Sequence, residues 1–134
     1  MQAVDTSVVI AGFATWHDGH DSALAVLDRR PRVPAHVLIE SYSVLTRFPP
    51  PHRTPPATAM SFLRRRFVDP PLALQPGDHV RLVELVGRRG LAGGSIYDAL
   101  IAWTAKLAGA TLLTRDSRAI RVYETIEVPF DLVV

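Results

Sequence analysis

Four carboxylates in this sequence fall where chemistry is possible. Asp5 closes the first apolar run in "VDTSVVIAG", and Asp116 follows the strand-like "TLLT". Asp98 sits in the first turn of a helix opened by Ser95, and Glu40 lies within a helix beside Val37 and Val44. If the segments ending at Asp5 and Asp116 are neighbouring strands, both acids stand at one rim of a sheet. Four carboxylates gathered there would repel one another and hold protons unless a cation neutralised them. Hard oxygen donors without thiolates suit Mg²⁺ or Mn²⁺. Such an ion polarises a phosphoryl oxygen and lowers the pKa of a bound water, so phosphodiester cleavage is the natural chemistry.

Each acid also has a purely structural reading. Asp5 and Asp116 can cap helices by accepting backbone N–H bonds. Ser95 and Asp98 match the S-x-x-[DE] capping box, and Glu40 can be a solvated helical residue. The functional reading rests on the four acting together.

The elements that must position them alternate between strand and helix. Residues 2–6 are expected as a strand and "SVVIAGFA" as the following helix, with Gly12 its weak point. "HDGHD" (17–21) is a polar loop, and "SALAVLDRR" a helix that stops at Pro31. A brief strand at 32–36 precedes the helix "VLIESYSVLTRF", whose core stripe is read as Leu38, Tyr42 and Leu45. The prolines of "PPPHRTPP" (49–56) forbid helix and give a stiff connector. Then come a helix "ATAMSFLRRRF", a strand near 72–74, and a helix opened by Pro76 and Asp78 and closed by Gly90. "IYDALIAWTAKLAG" is helical, with Ile96, Leu100, Trp103 and Leu107 as its apolar stripe. "ATLLT" is a buried strand, "DSRAIRVY" a short helix, and "ETIEV" (124–128) a last strand. This order predicts a small, mostly parallel sheet with helices on both faces, and ligands beyond the carboxyl ends of its strands.

At 134 residues, 48% of them hydrophobic, the chain fits one domain over residues 1–134. It has no cysteine, which excludes disulfides and thiolate metal sites. No apolar stretch is long enough to span a membrane, and no signal-peptide pattern opens the chain, so a cytoplasmic location is expected. The net charge is only +2, and Lys106 is the single lysine among 15 basic residues. Arginine forks suit phosphate, which keeps a nucleic-acid partner open.

The segments "VDTSVVIA", "HVLIESYSVLTR", "GGSIYDALIAWTAKLAGATLLTRD" and "SRAIRVY" together resemble the PIN-domain ribonucleases, most closely the VapC toxins of bacterial toxin–antitoxin pairs. The resemblance implies a three-layer α/β sandwich with an acidic pocket formed by Asp5, Glu40, Asp98 and Asp116. It places Thr6 and Thr114 as supporting hydroxyls. It further implies Mg²⁺ or Mn²⁺ as cofactor, held by Asp5, Asp98 and Asp116, with Glu40 as a further ligand or as the group orienting the attacking water. A structured RNA, tRNA or rRNA, would be the substrate. The partners would be a small VapB-like antitoxin and a second copy of the chain.

The remaining polar features divide less clearly. His17 and His20 suggest a metal site without a third ligand, or an RNA contact. Arg47 and Arg53, with Arg64, Arg65 and Arg66, form either a phosphate-binding margin or a solvated helix face. Trp103 has core spacing, whereas Trp16 precedes a loop and is free to stack a base or face a partner. A haloacid-dehalogenase-type phosphatase would need an Asp where Ser7 stands, and a receiver domain a lysine after a late strand. A dinucleotide-binding module would need a glycine-rich turn. An interaction module with capping carboxylates is the non-enzymatic rival.

Overall fold

The computed structural model describes residues 1–134. Its elements are β1 (Gln2–Val4), α1 (Thr6–Phe13), α2 (His20–Asp28), α3 (Ala35–Arg47), α4 (Pro56–Arg66), α5 (Pro76–Arg88), α6 (Ser95–Leu107), β2 (Thr111–Thr114), α7 (Ile120–Ile126) and β3 (Phe130–Leu132). The three strands pair in parallel in the order β1-β2-β3. Val4 lies opposite Leu113, so Asp5 and the residues after Thr114 leave the sheet at the same rim. Consecutive residues of β2 point to opposite faces, and Leu112, Leu113 and Thr114 are all buried; both faces of the sheet are therefore covered.

The strands expected at 32–36 and 72–74 exist only as single parallel bridges, Ala3 to Arg32 and Pro34 to Leu72. They extend the sheet on the β1 side without a full ladder. "ETIEV" is not a strand. Helix α7 continues through Ile126, and Glu127 ends it in the left-handed conformation (φ 63°). Val128 N–H then bonds back to the Tyr123 carbonyl, in the manner of a helix C-cap. Pro129 follows, and the last strand begins at Phe130.

Helix α1 is buried from Val8 to Gly12, as befits a helix enclosed by α2, α3 and the sheet. Gly12 is not a weak point but a contact: a Cβ there would run into the Leu27 side chain of α2. Two apolar stripes hold except at one residue each, since Leu38, Leu45, Ile96, Leu100 and Trp103 pack inward while Tyr42 and Leu107 do not. The buried residues of α3 are Val37, Ser41 and Leu45, which leaves Tyr42 exposed. Those of α6 are Ala99, Ile101, Ala102, Thr104 and Ala105, with Leu107 in solvent. Small residues carry that face because they let α6 approach its neighbours closely. One cluster of 26 buried residues runs from Ala3 to Val128. No helix is long and apolar enough to cross a membrane.

Candidate active site

Asp5 is 3% exposed and sits as N-cap of α1. Its Oδ1 accepts from the Ser7 N–H (3.0 Å), the Ser7 hydroxyl (2.5 Å) and the Val8 N–H (3.4 Å). Its Oδ2 accepts one bond, from the Tyr123 hydroxyl at 2.7 Å. That leaves a lone pair of Oδ2 uncommitted. Burial raises the proton affinity of Asp5, and the bonds from Ser7, Tyr123 and Val8, with the nearby Thr114 hydroxyl, offset this only in part. The same enclosure, followed by the charge of Asp5, pushes the Tyr123 phenol far up, so Tyr123 stays a donor. The capping role expected of Asp5 is thus real, and it is not the whole of its environment.

Asp98 has no capping role. No side chain caps α6; Gly94 occupies the N-cap position, and the Ser95 hydroxyl donates instead to the Ala92 carbonyl. The Asp98 carboxyl is pushed up to about 6, first by burial and then by the negative charges of Glu40, Asp116 and Asp5. The four acids therefore share one electrostatic environment at the sheet rim. Asp116 follows β2, and its Oδ1 accepts the Arg118 N–H at 2.9 Å. Helix α7 is not capped by it, since Ala119 stands at that position. Glu40 is half-buried on α3; its Oε2 lies 3.5 Å from His36 Nε2, one turn away. The His36 ring in turn stacks on Tyr97 of α6 at 5.4 Å and 9°.

Two open, adjoining depressions are bordered by two of these acids, Glu40 and Asp116. One, of about 380 Å³, is bordered by Thr6, Ser7, His17, Glu40, Arg115 and Asp116, among others. The other, of about 570 Å³, shares Glu40, Val44, Asp116 and Arg118 with it and adds His36, Arg47 and Tyr97. The wall between sheet and α1 is held by hydroxyls. Ser7 Oγ accepts the Arg115 N–H at 2.8 Å, and Thr114 Oγ1 accepts the Asp116 N–H at 3.0 Å. Thr6 Oγ1 is buried without a partner.

These residues fit a hard divalent cation. The donors are carboxylates and hydroxyls, their charge is under-compensated at Asp98, and Thr6 Oγ1 and Asp5 Oδ2 retain acceptor capacity. The acids are spread around the cleft rather than gathered into a tight cage: no three acidic or histidine side chains lie close enough to form a ready-made metal site.

The PIN domain family model matches residues 3–125. Ribonuclease VapC40 of Mycobacterium tuberculosis is 47% identical over 133 residues, covering 99% of both chains. The chain belongs to the PIN-domain family and is of the VapC type. Among solved structures, FitAcB from Neisseria gonorrhoeae superposes on this PIN domain with a TM-score of 0.66, covering 97% of this chain and 96% of that one. VapBC2 from Rickettsia felis, bound to a DNA fragment from their promoter, gives 0.65, covering 98% and 97%. Both share 16% of the sequence and speak for the fold alone.

The remaining expected site residues of the PIN domain are dispersed. Arg47 borders the acidic cleft, whereas Arg53 borders a neighbouring depression and donates from Nε to the Phe48 carbonyl. His20 does not line the cleft; its Nδ1 donates to the Ala11 carbonyl and ties α2 to α1. The three consecutive arginines form no single margin. Arg66 pairs with Asp28 at 2.8 Å, while Arg64 borders an apolar groove between α3 and α4. Trp103 is half-buried against the core, as its spacing suggests. Sequence reasoning missed Ser7 as a donor to Asp5, Tyr123, His36, Tyr97 and Arg118. His36 lies four residues before Glu40, so helical spacing alone was enough to find it.

Proposed function

We propose that this PIN domain, a single unit over residues 1–134, is a metal-dependent endoribonuclease. It is the toxin of a VapBC-type module and is silenced by a small antitoxin. The observation that carries the reading is the raised proton affinity of Asp98 at the sheet rim, caused first by burial and then by the charges of Glu40, Asp116 and Asp5. Asp5, Asp98 and Asp116 would hold Mg²⁺ or Mn²⁺, with Thr6 supporting. The bound ion supplies a polarised phosphoryl oxygen and an acidified water. Glu40, with His36 Nε2 3.5 Å from its Oε2, would serve as a further ligand or orient an attacking water. Tyr123 and Ser7 hold the Asp5 carboxyl in place and offset part of the cost of burying its charge. Arg47 and Arg118 border the cleft where flanking phosphates of the RNA would lie.

The apolar groove between α3 and α4 supports a protein partner. It measures about 500 Å³ and includes Leu38, Ile39, Tyr42 and Met60. Ile39 is 69% exposed there and Met60 50%, a pattern suited to the apolar face of an antitoxin helix. Ile39 also borders the acidic cleft, so a segment leaving the groove reaches the carboxylates. A basic side chain delivered there would neutralise the charge that a metal otherwise balances.

The test is RNA end-mapping with purified protein in Mg²⁺, Mn²⁺ or chelator, alongside induction of the chain alone in cells. The expected result is discrete metal-dependent cuts and growth arrest, both lost in Asp98→Asn. Absence of any metal effect on melting, together with no RNA cleavage by the wild type, overturns the reading.

A further inference from the structure

Near the acidic cleft stands a group of rings, two of them exposed, that the chemistry above does not use. Trp16 is 48% exposed, and its indole stacks on the His52 ring with centroids 4.0 Å apart and planes at 27°. Phe48 meets it edge-on at 5.5 Å and 87°. An exposed tryptophan half-covered by a histidine is held in place from both sides. On one side, His17 N–H bonds to the Ala14 carbonyl, His17 Nδ1 accepts the Gly19 N–H, and Gly19 lies so close to the Arg115 guanidinium that a Cβ would collide with it. On the other, His52 N–H bonds to the Pro49 carbonyl, and Thr54 N–H reaches back to the Leu45 carbonyl of α3. The prolines around His52 stiffen that loop further.

The rings adjoin the cleft through His17, whose ring centroid lies 5.9 Å from that of Trp16. His17, which follows Trp16, borders the depression containing Glu40 and Asp116. Arg47, which precedes Phe48, borders its continuation. Arg53, anchored to the Phe48 carbonyl, adds a second cation next to His52. Flat rings interleaved with arginines and opening onto a carboxylate site match a nucleotide strand, whose bases stack while its phosphates pair with guanidinium groups. An apolar peptide already has the groove between α3 and α4, which lacks such an alternation.

We infer that Trp16 and His52 form a stacking platform for one unpaired base of the RNA strand that runs out of the cleft. The inference rests on the ribonuclease reading and adds the feature of the substrate that the cleft holds. Base–aromatic stacking requires a splayed base, so the platform discriminates against duplex.

The test uses the full chain in chelator, so that RNA stays intact, and titrates it with a short oligoadenylate and with an RNA duplex of equal length. The chain has two tryptophans, and the exposed Trp16 is the one that a stacked base quenches. The expected result is oligoadenylate-dependent quenching in the wild type and, by fluorescence anisotropy of an end-labelled strand, an affinity about tenfold lower in Trp16→Ala and largely restored in Trp16→Phe. Duplex affinity stays unchanged in both variants. Equal oligoadenylate affinity of folded Trp16→Ala and wild type overturns the platform, as does an equal loss on duplex. So does a loss confined to binding of the purified antitoxin, which marks a protein contact. A wild type that cuts RNA while Trp16→Ala matches it in every assay defeats the platform alone; a wild type that neither binds nor cuts RNA defeats the nuclease reading with it.

Discussion

Tyr123 holds Asp5 from 118 positions away in the sequence, and this one bond illustrates how the site is built. The carboxylate is visible in the sequence because it interrupts an apolar run. Its donor is not, because Tyr123 lies on a helix face whose orientation only the fold determines. Tyr123→Phe should leave buried Asp5 Oδ2 without a donor and cost about 2 kcal/mol, the range for hydrogen bonds to charged groups. Urea unfolding of the metal-free protein measures it, and an unchanged midpoint would show that water replaces the phenol. Asp98 makes a pH-dependent prediction. Its carboxyl titrates near 6 in the folded chain against 3.8 ordinarily, so between these values the folded state binds more proton than the unfolded one. Stability must therefore fall as pH rises through that window and stay lower above it. Asp98→Asn removes the penalty. After allowance for the solvent that reaches this half-buried group, the gain above pH 6 is about 1 kcal/mol, or roughly 3 °C in Tm. Thermal melts in chelator at pH 4 and pH 7 should show the variant ahead only at the higher value.

At the scale of elements, the alternation of strand and helix was legible, as was the convergence of the Asp5 and Asp116 strand ends that the parallel β1–β2 register produces. What was not legible depends on partners. Residues 32–36 and 72–74 have strand composition, yet each is tied to the sheet by a single bridge because its neighbours turn away at once. "ETIEV" contains β-branched strand formers, but packing of Val122, Tyr123 and Ile126 keeps the chain helical through Ile126, and Glu127 then ends the helix. Gly12 inverts the usual propensity argument in the same way. Alanine for glycine inside a helix normally gains about 1 kcal/mol. Here the new methyl meets Leu27, and overpacking of this kind costs about 1–3 kcal/mol. Gly12→Ala should therefore destabilise the protein, and adding Leu27→Val, which removes the colliding Cδ1, should recover part of the loss. A double-mutant cycle by chemical denaturation reads this coupling, and additive effects would refute the close α1–α2 contact.

Over the whole molecule the near-neutral charge conceals a division of labour. Glu40 and Asp116 line the cleft together with Arg47 and Arg118, and Arg53 follows His52 in the chain. Arg118 shows the arrangement well: its side chain is 95% exposed, with Nε 3.8 Å from Asp116 Oδ1, so it is tethered to the site without being committed to a tight pair. A polyanion approaching four carboxylates must be drawn by such edge charges, because the small net charge of +2 provides little long-range attraction. If Arg47, Arg53 and Arg118 each take one phosphate of a single strand, counterion release sets the slope of log K against log salt at about −2. Arg118→Ser should lower its magnitude by about 0.7 and weaken oligoadenylate and oligouridylate alike, since a phosphate contact carries no base information. Trp16→Ala, by contrast, should weaken binding with the slope unchanged, because stacking releases no counterions. Titrations at several salt concentrations in chelator separate the two. A slope that responds to Trp16→Ala, or ignores Arg118→Ser, would mean that the rings and the cations do not divide base from phosphate as their placement implies.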